Sequence, residues 1–363
     1  MNKKFTILLL IFCLMLSGCS MSNTKGNNNQ KSDNTSDKIM EQTGGTMVEG
    51  TSSINGIDTQ KTTGIKSNAS MSTNEYKIFT TIYYKDKDGM LIPITRKLVK
   101  QDGIARASIN GLIDNSANRE EVAYYGLYPV LPQGTEILGI DIRQGVAVVD
   151  FNEKFLDYNN ETEEKIAIAS LVYTLTEFKT INSVSINVNG QPQDELKHKT
   201  NVAGTLSRED VLINNDKLFV DRGTDKLEVY MYKNIEYGIS LLVPVSIEYE
   251  KVSDEYLPDK IAELLNTDLS DKNLVSYIPS GIKLNESSFK SGVLTLDFTN
   301  QSKDGIQDDY ADKMLNQILY SMSRINGVEK IKILINGKEM TLKGETELSK
   351  QLPLQRRINE IID

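Results

Sequence analysis

Residues 132–151 read PQGTEILGIDIRQGVAVVDF, and residues 279–298 read PSGIKLNESSFKSGVLTLDF. The two stretches lie 147 positions apart, align without a gap, and the match runs on to Gly190 and Gly337. Pro132-Gln-Gly134 falls on Pro279-Ser-Gly281, Gly145 on Gly292, and Asp150-Phe151 on Asp297-Phe298. Tyr173 falls on Tyr320, and Asn189-Gly190 on Asn336-Gly337. The apolar pattern repeats too: Ala147, Val149 and Phe151 share one strand face, as do Leu294, Leu296 and Phe298. So long a period marks a duplicated domain rather than a solenoid.

Toward the N-terminus, Ile82-Tyr83 and Val229-Tyr230 keep the same spacing of 147. Strand composition over 77–85 and 91–99, with Asp88-Gly89 as a turn between them, predicts a hairpin. Asp86 and Asp88 serve that turn, since a calcium loop needs further acids and a closing Glu. Segments 227–232 and 239–248 predict the equivalent hairpin. A short helix follows in each copy. The first carries Ala105, Ser108, Ile109 and Leu112 inward; the second is capped by Asp254, has Pro258 in its first turn, and carries Leu257, Ile261, Leu264 and Leu265.

Within the aligned core, apolar residues at three- and four-residue spacing predict a longer helix in each copy. These are Ala167, Ile168, Leu171, Val172, Leu175 and Phe178, then Ala311, Met314, Leu315, Ile318, Leu319 and Met322. Acids open both helices (Glu161, Glu163 and Glu164; Asp308 and Asp309), where the helix dipole favours negative charge. Each copy reads β-β-α-β-β-α-β. The expected fold is α+β, two tandem copies of a small domain with helices on one face of a mixed sheet. The first copy spans residues 76–214, a linker 215–224, and the second copy 225–363.

The N-terminus is different material. Lys3 and Lys4 precede an apolar run from Phe5 to Leu16 that is short for a permanent span. It ends in Leu16-Ser17-Gly18-Cys19, which resembles a lipobox; this predicts residues 1–18 as a signal peptide and Cys19 as the lipidated N-terminus, the alternative being a plain signal peptide or a one-pass anchor. Cys13 leaves with the leader, so no thiol remains for a disulfide, metal site or nucleophile. Residues 19–75 are rich in Asn, Ser, Thr, Gly and Lys and hold no aromatic residue, which predicts a disordered tether. Such a coil reaches roughly 40 Å, enough to hold the folded part above a membrane.

Candidate chemistry is sparse. His198 is the single histidine, in a polar run expected to be a solvated loop, so a His-dependent triad or zinc site has no partners. Phosphate-cradling Gly-rich motifs are missing from the sequence. Asp150 and Asp297 are the tempting acid pair because both copies keep them, but they belong to separate copies and sit where an Asp caps its own turn. Tyr124-Tyr125-Gly126-Leu127-Tyr128 suits stacking on sugar rings or meeting a protein partner; a loop packing its own aromatics fits the same pattern. The candidate binding residues are therefore Tyr124, Tyr125, Tyr128, Asp150 and Asp297, with no cofactor and no metal. Loss of Lys3 and Lys4 takes the formal charge from −9 to −11, which argues against nucleic acid as a partner.

A lipobox, a tether and a duplicated domain with these motifs in this order resemble the GerM-type sporulation and spore germination lipoproteins with two tandem GerMN domains. The motifs are the Pro-x-Gly turns, Gly145 to Phe151 with Gly292 to Phe298, and the Asn-Gly strand ends. Leu206-Ser-Arg208 against Leu354-Gln-Arg356 is a weaker echo. The resemblance implies a fold similar to the ring-building modules of secretion and sporulation channels. It implies a non-enzymatic scaffold or assembly factor for an envelope complex, lipid-anchored on the extracytoplasmic face around the forespore. Its implied partners are the membrane, envelope channel proteins and further copies of itself. The alternative is a lipoprotein that binds or remodels peptidoglycan. One stretch departs from the pattern: Lys283 to Phe289, expected to be a weak strand because Asn285, Glu286, Ser287 and Ser288 are polar.

Overall fold

The computed structural model describes residues 77–99, 103–221, 224–301, 308–339, 341–342, 346–347, 350–354 and 357–361. Cys19, the tether and Arg356 lie outside the described residues, as do the side chains of Asp308 and Asp309. The chain divides into a unit of residues 1–70 and a unit of Met71–Asp363, and the second unit contains both copies.

The first copy begins with a hairpin of β1 (Lys77–Asp86) and β2 (Leu91–Val99), with Ile82 opposite Ile94 and Tyr83 opposite Pro93. The Asp86 carboxylate accepts from the amides of Asp88 and Met90, both at 2.9 Å, and so ties the turn as the sequence predicts. Helix α1 (Ile104–Leu112) buries Ala105, Ser108, Ile109 and Leu112, the stripe read from the sequence. Helix α2 (Ser116–Ala123) has no counterpart in the sequence reading. It buries only Val122, so no apolar period announces it, and Asn115 caps it by accepting from Asn118 N.

After β3 (Leu127–Tyr128) come β4 (Ile137–Arg143), β5 (Val146–Phe151), helix α3 (Glu161–Leu175) and β6 (Ser183–Val188). β4 runs antiparallel to β5, and α3 carries the chain over to β6, parallel to β5. The short strands β7 (Gln191–Pro192) and β8 (Leu206–Ser207) then pair with β6. This is the expected mixed sheet. The β1–β2 hairpin stands apart from it as a second sheet with β3. Helix α3 packs against both β1 and β6 and is buried over Ala167–Leu175 almost without a break. Its hydroxyls satisfy backbone groups of β1: Thr174 Oγ1 accepts from Tyr83 N at 3.1 Å, and Ser170 Oγ donates to Tyr83 O at 2.6 Å.

The second copy repeats this plan with β9 (Asp225–Asn234), β10 (Ser240–Tyr249), α4 (Leu257–Leu264), β11 (Ile282–Lys290), β12 (Val293–Asn300), α5 (Asp308–Met322) and β13 (Lys330–Ile335). Tyr230 N donates to Ser321 Oγ at 2.9 Å, the equivalent of the Tyr83–Thr174 bond. The polar strand at 283–289 forms after all, as the edge strand β11. Its neighbour β12 supplies the ladder, so side-chain polarity is tolerated where one side faces water. Both edge strands carry a β-bulge at the same place, Ile137/Gly139 in β4 and Leu284/Glu286 in β11.

Three sequence readings need correction. Asp254 does not cap α4; it lies in a 3₁₀ turn, and the helix starts from Tyr256 without a side-chain cap, with Pro258 in its first turn. His198 is half-buried rather than solvated, with Nε2 2.8 Å from Tyr158 O. Glu164 is fully buried and accepts from His198 N and Thr200 N, so it closes a loop as well as opening a helix. The segment after β8 also has its own packing: Val211, Leu212, Ile213 and Leu218 are buried, and Val211 bridges Phe219.

Candidate functional site

The duplicated acids have duplicated bonds. Asp150 Oδ1 accepts from Gly190 N at 2.8 Å, and Asp297 Oδ1 accepts from Gly337 N at 2.8 Å. Asn189 (φ 50°) and Gly190 (φ 76°) are both left-handed, as are Asn336 (φ 53°) and Gly337 (φ 70°). This is the two-residue hairpin turn that Asn-Gly favours. Each aspartate holds the turn of the neighbouring strand, not its own, and the two are engaged in separate sheets. Replacing Asp150 or Asp297 by alanine is expected to cost about 1–2 kcal/mol each, the low end for a hydrogen bond to a charged group because each bond is exposed to solvent. Asparagine, which keeps an acceptor, should recover most of it. Urea unfolding of the variants checks this.

The tyrosines fare differently. Tyr124 and Tyr128 are exposed and Tyr125 is half-buried. They line a groove of about 610 Å³ that the second copy completes with Lys233, Asn234, Ile235, Glu236 and Tyr237. Tyr237 stacks on Tyr124 with centroids 5.5 Å apart and planes within 4°. Tyr125 meets Tyr124 edge-on at 5.3 Å. Tyr237 carried no signal in the sequence, because it lies in a turn outside the repeated pattern.

Beside this groove the two copies join in a two-fold-like arrangement. β2 and β10 are outer strands of their hairpins and pack against one another. Pro93 and Pro244 occupy equivalent positions in them, opposite Tyr83 and Tyr230, and neither can donate to a ladder. Two asparagines bridge the edges instead. Asn214 donates to Leu91 O and Pro244 O and accepts from Leu91 N. Asn359 donates to Leu242 O and Pro93 O and accepts from Leu242 N. The flanking backbone is reciprocal as well: Ser246 N donates to Ile213 O, and Thr95 N donates to Ile358 O. Each copy's C-terminal segment thus seals the other copy's hairpin.

Charges complete the joint. Asp86 and Lys233, 147 residues apart and both buried, form an ion pair. Glu177 and Arg324, also equivalent positions, enter a cluster with Arg208, Lys226 and Glu228. Glu177 accepts from Arg208 at 2.5 Å and from Tyr83 OH at 2.8 Å. Glu228 accepts from Tyr173 OH at 2.7 Å and lies 3.4 Å from Arg324 Nε. Burial opposes ionisation of Glu228, yet Arg324, Lys226, Arg208 and the Tyr173 hydroxyl outweigh it and hold its pKa at about 2. Burial pushes Lys226 down, against the pull of Glu228. Opposite charges at the period of 147 were the available sequence signal for this joint.

The fold and this joint define a class: a tandem α/β repeat whose halves interlock through reciprocal contacts. The family model described as "Germane: Sporulation and spore germination" matches the chain twice, over residues 81–194 and 228–341. The chain therefore belongs to the Germane family of sporulation and spore germination proteins. Over 341 residues it is 28% identical to the spore germination protein GerM of Bacillus subtilis (strain 168), covering 91% of this chain and 89% of that one. The solved tandem GerMN domains of the sporulation protein GerM from Bacillus subtilis superpose with a TM-score of 0.69 at 25% identity, over 78% of this chain and 99% of theirs. The two copies are tandem GerMN domains.

Proposed function

We propose that this protein is a lipid-anchored, non-enzymatic scaffold that acts in sporulation and spore germination by assembling an envelope protein complex. The observation that carries the reading is the interlocked joint. It fixes the two copies as one body and leaves a bulged edge strand of each mixed sheet, β4 and β11, as a lateral surface. Edge strands offer unpaired backbone groups to partners, and bulges limit indiscriminate pairing. The candidate residues for chemistry are otherwise engaged: Asp150 and Asp297 hold turns, and His198 contacts the Tyr158 carbonyl. Among the described residues no helix is long and apolar enough to cross a membrane. Lipid on Cys19 would supply the attachment and the polar tether the stand-off.

Crosslinking and affinity capture of the full lipoprotein from sporulating cells tests this. Stoichiometric recovery of envelope proteins, lost in Cys19→Ser, is the expected result. Recovery of wall glycan without a protein partner, or glycan cleavage by the folded part, would overturn it.

A further inference from the structure

The tyrosines of the groove are not required by the fold. Tyr124, Tyr125 and Tyr128 correspond, 147 residues on, to Asp271, Lys272 and Val275. The second copy builds the same backbone there without aromatics. Asn273 (φ 56°) repeats the left-handed Gly126 (φ 65°), and Leu274 is buried like Leu127. Val275 bridges Tyr232, as Tyr128 pairs with Lys85. On the other wall, Tyr84 pairs with Ile92 whereas its equivalent Met231 pairs with Val243, so the second hairpin is four residues longer. Tyr237 lies in that extension. It is 75% exposed and left-handed (φ 60°), a conformation that a bulky side chain adopts only against strain. Features special to each copy therefore meet at one place, where an exposed ring on a left-handed backbone stacks on an exposed partner.

We infer that this groove is a binding site for an uncharged, hydroxyl-rich oligosaccharide. The parallel rings of Tyr124 and Tyr237 offer the flat apolar face that the C–H side of a sugar covers. Exposed Asp88 and Glu236 supply acceptors for sugar hydroxyls, and Lys87 a donor. Asp86 and Lys233 neutralise one another, so the remaining balance of the lining is slightly negative, which disfavours phosphate-rich polymers. Ile235 is the lone large aliphatic residue among the described lining, so the apolar surface here is mainly the flat faces of tyrosine rings, whose hydroxyls can also pair with sugar hydroxyls. The inference is independent of the scaffold reading, because it concerns sugar binding and not capture of proteins.

The test is titration of the full chain, purified in detergent, with a soluble oligomer of N-acetylglucosamine, followed by calorimetry. Saturable binding is expected, weakened about tenfold or more by Tyr124→Ala and by Tyr237→Gly. Tyr237→Gly removes the ring but accommodates the left-handed backbone, so its melting temperature should not fall, which separates binding from folding. Val275→Ala, at the position equivalent to Tyr128, should bind as the parent does. No binding at millimolar sugar, or binding that both tyrosine variants retain in full, would overturn the inference.

Discussion

Glu228→Ala is expected to destabilise the folded part by about 3–5 kcal/mol, the range for removing one partner from a buried ionic group. Glu228 is 7% exposed and faces Lys226, Arg208 and Arg324. Its loss leaves Lys226 and Arg208 as buried cations with less compensation, and leaves the Tyr173 hydroxyl without this acceptor. The same group predicts an acid dependence. Its pKa is lowered from the ordinary 4.5 to about 2 on folding, so its contribution is fully present above pH 4.5 and is lost as pH falls toward 2. The shift corresponds to about 3 kcal/mol. Glu228→Gln, which keeps an acceptor for Tyr173 but no charge, should remove that part of the acid slope. Chemical denaturation between pH 2 and 7 measures both. A cost under about 1 kcal/mol for the alanine variant would place the cluster among solvated surface pairs and refute its structural role.

The second large effect concerns the two asparagines. Asn359→Ala removes three hydrogen bonds and places alanine at φ 47°, and Asn214→Ala does the same at φ 54°. Each is expected to cost about 2–4 kcal/mol from unpaired strand-edge groups and backbone strain together. Asn→Gly at either site keeps the backbone freedom and loses only the bonds, so the difference isolates the strain. Because both clips close one joint, the double glycine variant should cost less than the sum of the singles. It should also split unfolding into two transitions, one per copy, when followed by tyrosine fluorescence and circular dichroism. A single transition at the parent midpoint would show that the clips do not couple the copies.

Much of each copy was legible because its signals are local. Alternation at Ala147, Val149 and Phe151 specifies a half-buried strand, and Asn-Gly specifies its turn, whatever lies further away. The stripe of α1 was readable for the same reason. Helix α2 was not, since one buried residue in eight gives no period. Asp254 misled because a capping residue and a residue of a preceding 3₁₀ turn look alike in sequence. His198 was read as solvated, and Glu164 only as a helix-opening acid, because each finds its partner some 34–40 residues away, Tyr158 for His198 and the amides of His198 and Thr200 for Glu164.

The duplication, the order of elements in each copy, and the acids and glycines of its turns follow from the sequence alone, because they rest on contacts between near neighbours or on a period that can be counted. How the copies meet was decided by tertiary structure. Asn214 and Asn359 are ordinary polar residues until folding sets each beside two proline-interrupted strand edges. Tyr124 and Tyr237 are unrelated in sequence until the joint stacks them. Nothing local encodes such pairings, since their energy comes from groups 30 to 266 residues apart that only the closed joint withdraws from water.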